Sequence, residues 1–419
     1  MDVYAQPQAC MVLILAVMVA LGLTGRTEAA EVQLSVQNMA TVSDNISRMP
    51  HGTEASGSLL TMQGDLTISS DLGRGHVELV AGGGLETTND DQAADNENFN
   101  FQLNVNLPWS RNGYLEGTAS TSDETQEPEI NDISQVRVRT RTSRTGLAIG
   151  NQATSTFSWR MGASNRTEKR FDRDLEESEA EAGWDLDFDP RRSMSVDITF
   201  SDGKEQTNGN TWDDSSVLID MRKQVDRATS RGYRLTWEGQ DLQRADGTIE
   251  WSDIASAQIY YEVQMPSGWS FSGDLGLEGV NPPYGERRLE PMAHFALGSA
   301  PERRMRFSGS FSTSSEIQDP LDDEVSWSRN SQAQAGLTWN VSRLYSVIPR
   351  VQFYFTEQHG DEDVERTDET LILRLETRWA PARNWFLGLN AHKEDRTSTR
   401  DVYDLSESRL ELTFSGTFF

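Results

Sequence analysis

Between Phe99 and Leu107 the chain alternates without a break. Phe99, Phe101, Leu103, Val105 and Leu107 fall on one parity, Asn100, Gln102, Asn104 and Asn106 on the other. Side chains of a strand point to opposite faces in turn, so this stretch predicts a strand with one apolar and one polar face. The same period recurs along the chain. It is clear in EAGWDLDFD (181–189), SMSVDITF (193–200), WSFSGDLGL (269–277) and RMRFSGSF (304–311). It continues through QAQAGLTWNV (332–341), LILRLETRW (371–379), WFLGLNA (385–391) and LELTFSGTFF (410–419).

The connections come in two kinds. SDLGRG near 70, PWSRNG at 108, TSRTG at 142, DPRRS at 189, MPSG at 265, SAPER at 299 and APARN at 380 are short and carry tight-turn residues. ETTNDDQAADNEN at 86, SDETQEPEIND at 122, RFDRDLEESE at 170, SDGKEQTNGNTWDD at 201, SSEIQDPLDDE at 314, EQHGDEDVERTDE at 357 and HKEDRTSTRDVYD at 392 are longer and acidic. Short turn and long loop in alternation is the mark of up-and-down hairpins with two unlike ends. The pattern predicts roughly 18 to 20 strands of about ten residues, the length a tilted strand needs to cross a bilayer. It is least marked at 31–57, 143–160 and 248–256.

A propeller or sandwich buries strands against other sheets and needs apolar residues on inner faces. Here the second parity stays polar: Gln332, Gln334, Thr338 and Asn340; Ser270, Ser272 and Asp274; Asp185, Asp187 and Asp197. A closed ring with a wet lumen and lipid outside accounts for this, so the expected fold is all-β, a transmembrane antiparallel up-and-down β-barrel. One apolar face also explains a hydrophobic content of only 36% and a mean hydropathy of -0.60. Trp109, Trp269, Trp379 and Trp385 sit beside short turns, where an aromatic girdle meets the membrane interface.

Cys10–Leu23 is an apolar run of signal-peptide length rather than spanning length. Thr27 and Ala29 are small residues at peptidase positions, so the expected division is a signal peptide over 1–29 and a barrel over 30–419. Two features depart from the usual pattern: no Lys or Arg precedes the core, and Asp2 does. The alternative for this segment is a buried N-terminal helix. Cys10 is the only cysteine, which leaves the mature chain without disulfides, thiolate metal sites or a catalytic thiol.

The net charge of -28 excludes nucleic acid as a partner, because a phosphate backbone needs a basic footprint. The acidic loops suit solvation or divalent ions bridging lipopolysaccharide, and neither NGNTWDD nor DEDVERTDE has the spacing of a calcium loop. His51, His76, His294, His359 and His392 lack metal-ligand spacing, so no metal or other cofactor is expected. A Ser/His/Asp arrangement at a rim, as in outer-membrane lipases or proteases, stays open in principle; the expectation is a protein that is not an enzyme.

The chain stops on the strand RLELTFSGTFF, ending at Phe419. This resembles the C-terminal strand of Gram-negative outer-membrane β-barrel proteins, whose last aromatic residue is recognised by the barrel-assembly machinery. The likeness to porin-like barrels covers nearly the whole mature chain. It implies the outer membrane as location, outer-membrane lipid and lipopolysaccharide as surroundings, and Phe414, Phe418 and Phe419 as the assembly signal. Phe414 and Phe418 share the apolar parity with Leu410 and Leu412; Phe419 lies one step off it. No subfamily is marked.

The polar parity carries charge by strand. In QVRVRTRTSR, Val136, Val138 and Thr140 oppose Arg137, Arg139 and Arg141. Arg304 and Arg306 alternate with Met305 and Phe307, and Arg374 and Arg378 with Leu373, Leu375 and Trp379. Acids dominate elsewhere, as Glu179, Glu181, Asp185, Asp187, Asp197, Asp274 and Glu278. All the Arg residues named, with Asp185, Asp187, Asp197, Asp274 and Glu278, are expected to line a pore. Basic and acidic arcs across a constriction resemble a porin-like channel for passive diffusion of small hydrophilic solutes. The alternatives are a barrel plugged by its own ion pairs that sheaths or binds a partner protein or displays its loops as an adhesin, and an export barrel for a polysaccharide or other polymer. No periplasmic helical repeat precedes the barrel. A homo-oligomer stays open.

Overall fold

The fold is described from a computed structural model, over residues 31–45, 56–72, 74–88, 96–126, 138–170, 174–283, 286–300, 303–317, 327–359, 364–400 and 403–418. The expected leader, 1–29, lies outside the described residues, as do Arg137 and Phe419. Twenty strands account for almost everything described. They are β1 (Glu31–Ser43), β2 (Gly57–Leu72), β3 (Gly75–Thr88), β4 (Asn96–Pro108), β5 (Gly113–Gln126), β6 (Val138–Thr154) and β7 (Phe157–Lys169). Then come β8 (Asp174–Asp189), β9 (Arg192–Glu205), β10 (Thr211–Gln224), β11 (Thr229–Gln243), β12 (Ile249–Gln264), β13 (Ser270–Asn281) and β14 (Arg288–Gly298). The last are β15 (Met305–Ile317), β16 (Trp327–Asn340), β17 (Tyr345–His359), β18 (Val364–Ala382), β19 (Trp385–Ser398) and β20 (Leu405–Phe418).

Each strand pairs antiparallel with its sequence neighbours, and β1 pairs with β20 from Leu34↔Phe418 to Ser43↔Arg409, so the sheet closes on itself. Closure joins the first and last strands, the condition for a sheet in hydrocarbon. The short turns all fall at one end and the acidic connections at the other; β1 begins and β20 ends at the turn end. Gly268, at φ 81°, lets the β12–β13 turn close with its N–H on the Met265 carbonyl.

Strands run 11 to 19 residues, longer than a bilayer demands. The surplus lies at the loop end. Much of HKEDRTSTRDVYD and RFDRDLEESE, read from sequence as loop, is ladder in β19 and β8. Once a hairpin rises out of lipid both its faces are wet, so polarity no longer distinguishes strand from loop. TSRTG at 142–146 also lies inside β6; the turn is at Ser155–Thr156.

Residues opposite each other across the ladder share a face. Leu34, Leu66, Ala81 and Phe101 form one such row, and Leu107, Leu115, Ile149 and Met161 another. This face is the exposed apolar one, as at Leu275 (58%), Leu277 (52%), Phe200 (59%) and Ile259 (62%). It continues around the ring as a belt, and its turn-end margin is aromatic. Trp385 packs on Phe414 and Phe418 at ring distances of 5.1 and 5.2 Å, and Trp269 on Phe307 at 6.2 Å.

One hairpin leaves the wall. β14 pairs with β15 only from Ala293↔Thr313 to Gly298↔Ser308, although β15 and β16 remain paired up to Ile317↔Trp327. Above Thr313 the β15–β16 hairpin leans inward across the lumen face of β12–β14. Trp327 is 2% exposed there, packed with Ile254 and Val280. The Ser315 amide donates to Glu278 Oε2 at 2.7 Å, and the Arg329 guanidinium pairs with Glu290. Burying Trp327 among apolar side chains offsets the entropy of holding a hairpin tip off the wall.

Candidate functional site: the lumen wall

Asp185, Asp187, Asp197, Asp274, Glu278, Arg306, Arg374 and Arg378 all sit on the parity opposite the belt, so the register turns them inward. Their surroundings differ. Asp197 accepts from Arg160 at 2.9 Å and Asp185 from the Ser158 hydroxyl at 3.0 Å. Arg374 Nε donates to His392 Nδ1 at 3.1 Å, and Arg378 pairs with Glu376. Glu278 is only 4% exposed because the inward hairpin covers it, so it anchors that hairpin rather than facing an open passage. Arg304 lies in the turn before β15, off the wall.

The arginine ladder needs correction. Arg141 faces Asp123 across the β5–β6 ladder, Asp123 faces Phe99, and Arg141 is two-residue steps from Leu147 and Ile149. Arg139 and Arg141 are therefore on the outer face with the belt, not in the lumen. The sequence reading anchored the register on Val136 and Val138. Val138 stands at the loop end of β6, beyond the apolar belt, where lipid does not enforce parity, and Val136 lies outside the described residues. Leu147 and Ile149, in the belt, enforce it.

The lumen charges that the sequence pattern left unmarked lie on β7, β10–β12 and β17. Asp220 accepts from the Tyr260 hydroxyl at 2.8 Å and from Arg234 at 3.1 Å, and Arg234 Nη1 is 4.0 Å from Asp274. Arg222 donates to Glu262 at 2.7 Å, and Ser230 donates to the same carboxylate oxygen at 2.7 Å. Parity would have found them. Arg160 alternates with Trp159 and Met161, Arg234 with Tyr233 and Leu235, and Arg350 with Val351 and Phe353. Arg234 thus has its acid on the adjacent strand, while Arg160 and Arg222 reach across one strand to Asp197 and Glu262.

Toward the turn end this wall encloses a cavity of about 760 Å³. Ser272, Ser308, Ser310, Gly336, Gln334 and Gln352 line it, with larger apolar side chains such as Phe271 and Ile348 and the charged Arg222, Glu262 and Arg350. Small side chains leave room in the lumen there, and polar ones can hydrogen-bond to water.

The loop end of β18–β20 is tightly buried. Arg366 and Asp368 are paired at 2.9 Å, with the Arg366 guanidinium 3.7 Å from the Tyr403 ring centre. His392, Glu394 and Glu407 bring one ligand atom each within 4.8 Å of one another. Glu407 is already engaged by Ser43 Oγ at 2.8 Å and Arg409 Nε at 2.9 Å, so protein donors occupy the acid that a cation would need.

No protein-family model matches the chain, and no curated protein is detectably similar. Solved structures are similar in fold. The FrpB iron transporter of Neisseria meningitidis superposes with a TM-score of 0.62 at 8% identity, over 92% of this chain and 81% of that one. The ferric enterobactin receptor PfeA of Pseudomonas aeruginosa gives 0.56 at 8%, over 94% and 81%. The siderophore receptor PirA of the same organism gives 0.55 at 8%, over 94% and 82%. The chain has the fold of Gram-negative outer-membrane β-barrel proteins. A closed barrel of this kind, belted with apolar side chains, belongs in the cell outer membrane.

Proposed function

We propose that the protein is an outer-membrane transport barrel that lets small hydrophilic solutes diffuse passively through its lumen. The observation that carries this reading is the lumen cavity of about 760 Å³ in the turn-end half, where serine, glycine and glutamine side chains lie among apolar residues such as Phe271 and Ile348 and the charged Arg222, Glu262 and Arg350. The paired charges on its wall, Arg222–Glu262, with Arg234–Asp220 elsewhere in the lumen, leave local dipoles instead of one deep electrostatic trap, which suits passage better than capture. The barrel-assembly machinery would read the terminal strand at Phe414 and Phe418, which face outward beside Trp385. The test is single-channel recording of purified, refolded protein in planar bilayers. Discrete steps, with swelling of sugar-loaded liposomes, are expected. A folded barrel that never conducts would refute the reading.

A second reading is favoured by the loop end. Arg366, Asp368, Glu394 and Glu407 are each 4% exposed or less. Such packing can close a mouth, which would make the barrel a structural element that sheaths or binds a partner. The same recording separates the two readings.

A further inference from the structure

The correction of the arginine ladder places two guanidinium groups on the outer wall, beside a dent in the belt. The dent, about 700 Å³, crosses β1–β6 on the lipid side. Its floor is the row in which Gly64 and Gly83 are ladder partners, between Val36 on one side and Phe99 on the other. A Cβ on Gly64 would come no nearer than 3.9 Å to the Ser35 carbonyl, and one on Gly83 no nearer than 3.6 Å to that of Asn98. Packing therefore does not require glycine at either place; what the two glycines supply is empty space. Met62, Leu85 and Phe99, all largely exposed, wall it.

At the loop-end rim, Asp123 takes Arg139 Nε at 2.6 Å and Arg141 Nη2 at 2.9 Å. Its carboxylate is 10% exposed, whereas the two arginines are 56% and 47% exposed. One acid thus holds two guanidinium groups side by side, each about half exposed. Lys169, the ladder partner of Arg141, is on the same outer face, 3.9 Å from Asp174. This basic spot stands on a chain whose net charge is -28.

We propose that the dent is a specific site for lipid A, the phosphorylated glycolipid of the outer leaflet, with one acyl chain on Gly64 and Gly83 and one phosphate on Arg139 and Arg141. The argument is charge complementarity together with position. The cations lie just beyond the apolar belt on the loop side, where a headgroup phosphate stands, and the dent runs from them toward the belt, where an acyl chain lies. Paired, half-exposed arginines match the oxygens of a phosphate, and the apolar floor excludes water from the chain. The site is on the outside, so it holds whether or not the lumen conducts.

The test is native mass spectrometry of the full barrel in detergent, titrated separately with lipid A, dephosphorylated lipid A and phosphatidylglycerol. Two variants accompany the wild type. In one, Arg139→Gln and Arg141→Gln are combined with Asp123→Asn, so that no buried carboxylate is stranded. In the other, Gly83→Phe fills the dent. Heat-modifiable migration confirms that each is folded. Wild type should hold lipid A with about tenfold preference over the dephosphorylated form, and each variant should lose about tenfold in lipid A binding. Equal binding of lipid A by wild type and both folded variants would overturn the proposal. So would equal binding of phosphatidylglycerol and lipid A by the wild type, which would make the dent a general lipid contact.

Discussion

Replacing Trp327 with alanine should free the upper β15–β16 hairpin from the lumen wall. Trp327 is 2% exposed, lies parallel to His359 at 3.9 Å between ring centres, and has the Arg288 guanidinium 5.8 Å from its ring. Truncating an aromatic side chain buried this completely costs about 3–5 kcal/mol. The remaining fastenings are weaker. The Ser315 amide on the Glu278 carboxylate is worth about 1.5–3 kcal/mol, and the Arg329–Glu290 pair about 1 kcal/mol. Alanine thus removes the largest fastening, and a loss of about 3 kcal/mol multiplies the undocked population roughly a hundredfold. Two readouts follow it in liposome-reconstituted protein. Trypsin should cut after Arg329, which in the docked hairpin is held against Glu290 and the Pro291 carbonyl. Single-channel conductance should rise or flicker. Trp327→Phe, which keeps an aromatic ring, should stay close to wild type in both. If Trp327→Ala is folded, uncut at Arg329 and unchanged in conductance, the hairpin is not held by this cluster and does not narrow the lumen.

Arg350→Glu, on the cavity wall, should move reversal potentials toward cation selectivity; Arg139→Glu with Arg141→Glu, on the outer face, should leave them unchanged, and the opposite result would restore the ladder to the lumen. Leu275→Arg, near the middle of the belt in β13, should cost about 2–4 kcal/mol and lower the refolded yield, while polar exchanges at the adjacent lumen residue Asp274 should not. A gel on which boiled and unboiled protein migrate alike would contradict a closed barrel. Asp226 and Asp246, in connections outside the membrane, have carboxyls held below the usual range, chiefly by the Ala228 and Thr248 amides at 2.8 Å. With the folded value below the unfolded one, the turn order they add is complete above the unfolded value and is lost as pH falls through the folded one. Amide exchange at Ala228 and Thr248 should therefore quicken only below a pH of about 4, and protection persisting to a pH of about 2 would rule the effect out.

The ring itself was legible because lipid enforces a rule. Within the belt a residue of the wrong polarity costs kilocalories, so Phe99–Leu107 or Leu371–Trp379 can be read by parity alone, and the ladder confirms the faces that parity assigns. Above the belt nothing enforces it. Glu177, Glu179 and Glu181 alternate with Ser178, Ala180 and Ala182, and polarity there says little about which side is water. Strand ends and loop starts blurred for the same reason.

The arginines at 139 and 141 show how far such reading can be carried. Their orientation is inherited through the covalent chain from Leu147 and Ile149, and parity counted upward from those two residues turns both arginines outward. Counting from Val138, at the loop end, applies the belt's rule where lipid does not enforce it, and gives the opposite face. The β15–β16 tip could not be reached by any counting. Its course depends on Trp327 meeting Ile254 and Val280, from strands some fifty to seventy positions earlier, and on β14 losing β15 after Thr313. Local pattern is silent about such meetings, because Trp327 on an outward parity and Trp327 folded over the lumen have the same neighbours in sequence. The belt fixes the wall, and the wall then serves as the surface on which a long-range apolar contact decides where a hairpin rests. For that reason the features most able to set passage through this barrel lie where the alternation gives out.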